Sequence, residues 1–310
     1  MNLPSARRII RKLMPLIVFA VIIIPIFIIQ PRTMSYFGLR LLLNLAIPLV
    51  LATIAQMFII MVNDLDLSIG AFVSFNACIA VQVLPNNPLL GVGMFLFGIV
   101  VYGAIGALVY LRNLPSIVVT LGMSFVWLGL AILVLPRPGG EAPVWLQSAA
   151  NFSTPLVPLP IILAIILMVI MYFSLMRTGY GTVLRGVGGN TQAVARAGWS
   201  VLKAKIITYM FAGFFGVLSG VLLAGTTTSA DANIASRYTL LSIAGVILGG
   251  GDFFGGRISP VGAVLGALTM TLAGSFLSFV KISTDWQVGA QGMILIVVLS
   301  GRLITAREVK

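Results

Sequence analysis

The chain has 310 residues, 59% of them hydrophobic and 8% charged, with 19 basic against 7 acidic side chains, no His and a single Cys. A soluble domain carries roughly a quarter of its residues as charges; a chain this apolar, with a mean hydropathy of +1.12, belongs in lipid. The net charge of +12 is not a nucleic-acid surface, because the basic residues sit in short gaps between apolar runs and not on one solvated face; the lack of His and the lone Cys78 exclude an internal disulfide, a Cys/His metal cluster and His-based catalysis.

The first apolar run, 13–30, follows Arg7, Arg8, Arg11 and Lys12 and leaves through Gln30, Pro31 and Arg32. No small-residue cleavage site lies there, so it reads as a retained anchor and not as a secretory signal. Further runs occupy 39–62, 67–84, 89–111, 115–135, 156–176, 206–225, 238–248, 260–280 and 286–301, of which 238–248 is short enough to be a broken span. At about 20 apolar residues per crossing, this predicts an all-α integral membrane protein of about ten transmembrane helices, a single transmembrane domain over 1–310. With ten spans and a cytoplasmic start, Arg32, Arg40, Arg137, Arg237 and Lys281 fall outside and the other fourteen of the 19 basic residues fall inside. Positive residues near span ends stay in the cytoplasm, so both termini are expected there.

Between the second and third runs stand Asp64 and Asp66. A charge in the membrane is costly and faces a partner or a water-filled cavity. Asp66 therefore lines a translocation path, or else it caps the helix that starts at Leu67; both readings stay open. Ser68, Asn76 and Gln82 can bond solute hydroxyls, or they tie helices together. Cys78, inside an apolar run, reads as a small packing residue.

Two loops are longer than the rest. The outer one, 136–155, is rich in Pro and Gly and bears Trp145. The inner one, 177–205, carries Arg177, Arg185, Arg196, Lys203 and Lys205 and no acidic residue. At its centre Asn190 suits a helix N-cap and Gly198 the left-handed position that ends a helix. The two turns between them are too short to stand alone in water, so the helix must dock. Ala193, Ala195 and Ala197 make it a slim rod beside Arg196, fit either for a partner's groove or for anionic headgroups.

In the later runs, glycines recur one turn apart at Gly216 and Gly220, Gly245 and Gly249, and Gly262 and Gly266, a spacing that lets helix backbones approach closely. Gly251 and Gly256 have the spacing of a phosphate-binding loop, but Arg257 and Ile258 stand where Lys and Ser/Thr are required. No ATP site is therefore encoded in this segment. A self-sufficient secondary transporter and an intramembrane enzyme are the rival classes; the first lacks ion-coupling acids within its spans, and the second lacks a base.

The run from Val187 to Gly225 resembles the permease subunits of ribose-type sugar ABC importers, in which a Gly-Gly-Asn segment, here Gly188, Gly189 and Asn190, opens a cytoplasmic coupling helix. The resemblance extends to Asp66-Leu67-Ser68-Ile69-Gly70, to Ile243-Ala244-Gly245-Val246-Ile247-Leu248-Gly249-Gly250 and to Gly255-Gly256-Arg257. It implies a type II-like ABC importer permease in a bacterial inner membrane. It also implies a second permease subunit, identical or paralogous, ATP-binding cassette ATPase subunits in the cytoplasm and a periplasmic solute-binding protein. No cofactor is implied. On this resemblance Gly188, Gly189, Asn190, Ala193, Arg196 and Gly198 couple to the ATPase, and Asp66, Ser68 and Asn76 are the path candidates. The solute can be a pentose, a hexose, another polyol or a furanose-like signal, and related permeases also serve branched-chain amino acids and nucleosides. The chain departs from the family where two glycines and an apolar residue usually precede the signature Asp. Asn63, Asp64 and Leu65 take those places, and the extra carboxylate is expected to alter the pore or the local packing.

Overall fold

Peptide groups in lipid have no water to bond, so apolar runs close their hydrogen bonds internally as helices. A computed structural model describes residues 3–253 and 255–283, with the isolated positions 286, 289, 292, 293 and 296, and of residues 3–12 only the main chain. The order is α1 (Leu3–Ile29), a 3-10 turn (Pro31–Met34), α2 (Tyr36–Leu43), α3 (Ala46–Met61), α4 (Ile69–Gln82), α5 (Pro88–Leu111), α6 (Ser116–Val134) and α7 (Val144–Ala150). There follow α8 (Leu159–Tyr172), continued by a π-helical turn (Phe173–Arg177), then α9 (Gly179–Gly189), α10 (Thr191–Arg196), α11 (Val201–Thr227), α12 (Tyr238–Leu248) and α13 (Pro260–Phe279).

Every residue of α3 is buried, as befits a helix that is apolar all round. Around it pack α11, α12 and α13, while α4 lies against α11 and α6, and one contiguous apolar cluster runs through all of them. Phe72 of α4 wedges between Tyr102 and Trp127, with ring centroids 4.5 and 4.8 Å away. The outer helices do the opposite. On α5 and α6 large apolar side chains point outward, Leu89 at 84% and Leu133 at 78% exposure; an apolar surface of that kind is stable only against lipid. The protein is thus a multi-pass, membrane-embedded helical assembly.

The expected ten crossings are corrected by the structure. Among the described residues, five helices are long and apolar enough to span: α5, α6, α8 with its π turn, α11 and α13; α2 with α3, bent by 42°, makes at most a sixth. At 1.5 Å per residue, α4 with 14 residues reaches about 21 Å and α12 with 11 residues about 17 Å, short of a bilayer core of about 30 Å. Of the 27-residue α1, the stretch with described side chains is Leu13–Ile29, and the expected run 286–301 lies largely outside the described residues. An apolar run reports burial without saying by what, and α4 and α12 are buried by protein. The parity argument for the termini falls with the count. Nor does the inner loop form a separate soluble coupling domain, since α9 packs on α3 and α11, and α10 on α9.

Helix ends gather into two faces. At one, the α3–α4 break, the start of α6, the α9–α10 hairpin and the turn after α12 meet: the Gly255 N–H donates to Asn63 Oδ1 at 3.0 Å and the Leu65 N–H to Ser116 Oγ at 3.0 Å. At the other, Gly139 and Ala230 exchange backbone hydrogen bonds of 2.9 and 3.0 Å. There the Tyr36 hydroxyl donates to the Thr154 carbonyl at 2.6 Å and Arg40 holds Ser153 and the Asn151 carbonyl.

Among the described glycines, the tightest approach is at the α12–α13 crossing, which uses two of the three glycine pairs read from the sequence. A Cβ at Gly262 would lie 1.7 Å from the Gly249 carbonyl oxygen, and one at Gly266 would lie 2.0 Å from that of Gly245. Backbone meets backbone with no side chain between. Gly262→Val is expected to destabilise the protein by about 3 kcal/mol, the upper part of the range for overpacking, whereas Gly122→Val, with open space at its Cβ, does not lower the melting temperature; thermal unfolding of the purified variants in detergent measures the difference.

Candidate functional site

The chain breaks helix between α3 and α4 and must satisfy each freed backbone group from nearby side chains. Asp66 is 1% exposed. Its Oδ1 accepts from both the N–H and the hydroxyl of Ser68 at 2.7 Å, and its Oδ2 accepts from the Tyr102 hydroxyl at 2.8 Å. The Gln56 amide, oriented to suit its neighbours, takes up the Asp66 carbonyl and N–H at 3.1 and 3.2 Å. The Leu67 N–H goes to Thr120 Oγ1 at 3.0 Å. A short carboxylate reaching the N–H two residues on is what aspartate does at turns. Here the turn starts α4.

Asp64 turns inward as well. Its Oδ2 accepts from Lys205 Nζ at 2.7 Å and from the Tyr209 hydroxyl at 3.0 Å, joining the break to the first turns of α11. Both partners lie more than 140 residues away in the chain, and no local pattern marks them. The second carboxylate is therefore neutralised within the protein.

Of the path candidates, Asp66, Ser68 and Asn76 are all buried. Asn76 donates to the Phe72 carbonyl at 2.7 Å on its own helix, and its Oδ1 is without a partner among the described residues. Gly70 is a point of close approach: a Cβ there would lie 2.6 Å from the Ala235 carbonyl oxygen and from Thr239 Oγ1. Its N–H donates to Thr239 Oγ1 at 3.1 Å.

The inner loop forms two helices where one was read. Thr178 caps α9, accepting the Gly181 N–H at 3.0 Å, and Gly188 and Gly189 close α9 instead of opening the coupling helix. A Cβ at Gly188 would lie 2.1 Å from the Met61 carbonyl oxygen, so α9 ends wedged on the last turn of α3. Asn190 then caps the six-residue α10, its Oδ1 accepting the Ala193 N–H at 2.9 Å. Gly198 has φ +83°, the conformation in which a helix end turns away at least cost to glycine. No residue of α10 is buried; Ala193 and Arg196 are exposed, and Val194 alone is half-buried against Gly186. Trp199 leans toward Tyr180 with centroids 6.3 Å apart. The hairpin thus presents a slim, basic, doubly capped peg on the face that also carries Arg112, Arg177, Lys203 and Arg257.

Among the described residues, the chain is a multi-pass helical bundle whose buried acids are satisfied from within the protein and whose α10 is exposed. Residues 38–299 match the family described as the permease component of a branched-chain amino acid transport system, and the chain belongs to that family; it is a permease subunit and not an enzyme. It is 30% identical to a probable ABC transporter permease protein of Escherichia coli, over 84% of this chain and 80% of that one. To the ribose import permease protein of Bacillus subtilis it is 26% identical, over 93% and 91%. To the D-allose transport system permease protein of Escherichia coli it is also 26% identical, over 83% and 80%. No solved structure matches. The chain is thus an ABC-transporter permease subunit related to permeases for sugars and other small polar solutes.

Breaking the Asp64–Lys205 pair from one side leaves a charge stranded at low exposure, 9% and 14% for the two side chains. Lys205→Met is expected to cost about 3 kcal/mol, and adding Asp64→Asn, which keeps an acceptor for Tyr209, is expected to recover most of it; unfolding midpoints of the single and double variants give the comparison.

Proposed function

We propose that this chain lines the translocation path of an ATP-driven importer for a small polar solute, a sugar in the first instance, and receives its drive through α10. The observation that carries the reading is that exposed, doubly capped helix: water alone does not stabilise so short a helix, and its mounting on α9, against α3, connects it to the membrane core. ATP-binding cassette subunits in the cytoplasm take α10 in a groove, and their closure rocks this subunit against a second permease, identical or paralogous. A periplasmic solute-binding protein docks on the opposite face, where α7 exposes Trp145. The basic residues around α10, and those near the two ends at Arg7, Arg8, Arg11, Lys12, Arg302, Arg307 and Lys310, support a bacterial inner membrane with this face and both termini cytoplasmic. Relatives named for ribose and allose support a sugar; the family's own description favours branched-chain amino acids as the second reading.

Losing an N-cap costs a helix about 1 kcal/mol. Asn190→Ala is expected to lower ATP-coupled uptake about fivefold while membrane abundance and thermal stability hold, as measured in vesicles containing the assembled importer. Undiminished uptake in that variant removes α10 from the coupling path.

A further inference from the structure

The segment 228–237 enters the bundle from the outer face, where the Ala142 N–H donates to the Thr228 carbonyl at 2.9 Å, and descends without helix along α4. The Ala235 N–H donates to Ser74 Oγ at 3.0 Å and the Gly70 N–H to Thr239 Oγ1 at 3.1 Å. Only then does α12 begin, and its 11 residues cover about 17 Å before the α9 face, which puts residues 233–237 near mid-depth. Three of them, Asn233, Ser236 and Arg237, are exposed, and among the described residues their side chains have no partner. Non-helical backbone at that depth persists where it is buried in protein or lines a water-filled cavity, and an uncovered cation facing hydrocarbon is costly. These side chains therefore meet water.

Beside them lies a cavity of ≈ 210 Å³ between this segment, α4 and α6. Ser124, on its wall, stands eight residues, about 12 Å, along α6, which agrees with mid-depth. Its polar walls are Ser74, Ser124, Asn233, Ser236 and Thr239, its apolar ones include Phe125, and no charged side chain lines it. An amide gives and takes hydrogen bonds, as hydroxyls do, and a phenyl face covers the C–H side of a ring. We infer that this groove is the solute-contact surface of the path and that it takes a neutral, hydroxyl-rich solute; the inference rests on the permease reading above. Arg237 is not among the lining residues, so a zwitterionic amino acid would find no charge on the lining to match its own.

The test uses cysteine substitutions in membrane vesicles holding the assembled importer. The native Cys78 is buried and leaves a low background. A charged, membrane-impermeant methanethiosulfonate reacts with the ionised thiol, which forms only where water reaches it. Asn233→Cys and Ser236→Cys are expected to react at least about tenfold faster than Val100→Cys and Val169→Cys, whose parent residues are exposed on α5 and α8. A saturating mixture of neutral pentoses and hexoses is expected to slow that reaction, and leucine is not. Groove rates no higher than the controls, or cross-linking of Asn233→Cys between two copies without reagent access, overturn the assignment. Slowing by leucine, or by neither probe, overturns the neutral-solute class. Should the groove fail while ATP-coupled uptake still depends on Asn190, the permease reading survives alone; loss of that dependence with a reactive groove does the reverse.

Discussion

Ending a helix inside an apolar bundle leaves peptide groups that water does not reach, and each one left unpaired costs about 1–3 kcal/mol. Between α3 and α4 the chain does this beside the fully buried α3, and the neighbouring helices are arranged around the remedy. Ser116 and Thr120 of α6, Gln56 of α3 and Asp66 itself converge on the backbone of residues 65–68, and Tyr102 of α5 holds the Asp66 carboxylate. Four helices are held in register by the need to satisfy one turn. The ion pair of Asp64 with Lys205 adds α11 to the same knot, so the central helices are positioned by polar satisfaction and only filled in by apolar packing.

That knot explains which parts of the molecule are readable from residues alone. The helical class, the lipid setting, the caps at Asn190 and Gly198 and the paired glycines of α12 and α13 all follow from local rules of period, capping and side-chain size. The number of crossings does not, because α4 and α12 are as apolar as a span yet sheathed in protein, and composition is blind to whether lipid or a neighbouring helix supplies the burial. The partners of Asp64 and Asp66 were out of reach for a different reason: Tyr102, Lys205 and Tyr209 each sit on another helix, and no spacing rule links a carboxylate to a residue dozens or hundreds of positions away. Asp66 accepts from Ser68 at the start of α4.

The inner loop shows the same division. Its terminal signals were legible, but one helix was read where two exist, since Gly188 and Gly189 look like a helix opening only while the close approach of Gly188 to Met61 is unseen. The stretch 228–237 gave no sign at all: short polar residues after an apolar run resemble any surface loop, and their depth emerges only from bonds to Ser74 and Gly70.

The glycine crossing of α12 and α13 has a mechanical side. Cushions of flexible side chain normally absorb small shifts between helices; here carbonyl faces α-carbon directly, so the pair has no slack and must travel as a single stiff blade. One end of that blade carries the turn whose Gly256 abuts Arg185 of α9, and the other carries Arg237 and Ser236. The hairpin at one membrane surface and the non-helical stretch that precedes α12 are thereby joined through a single backbone-to-backbone crossing.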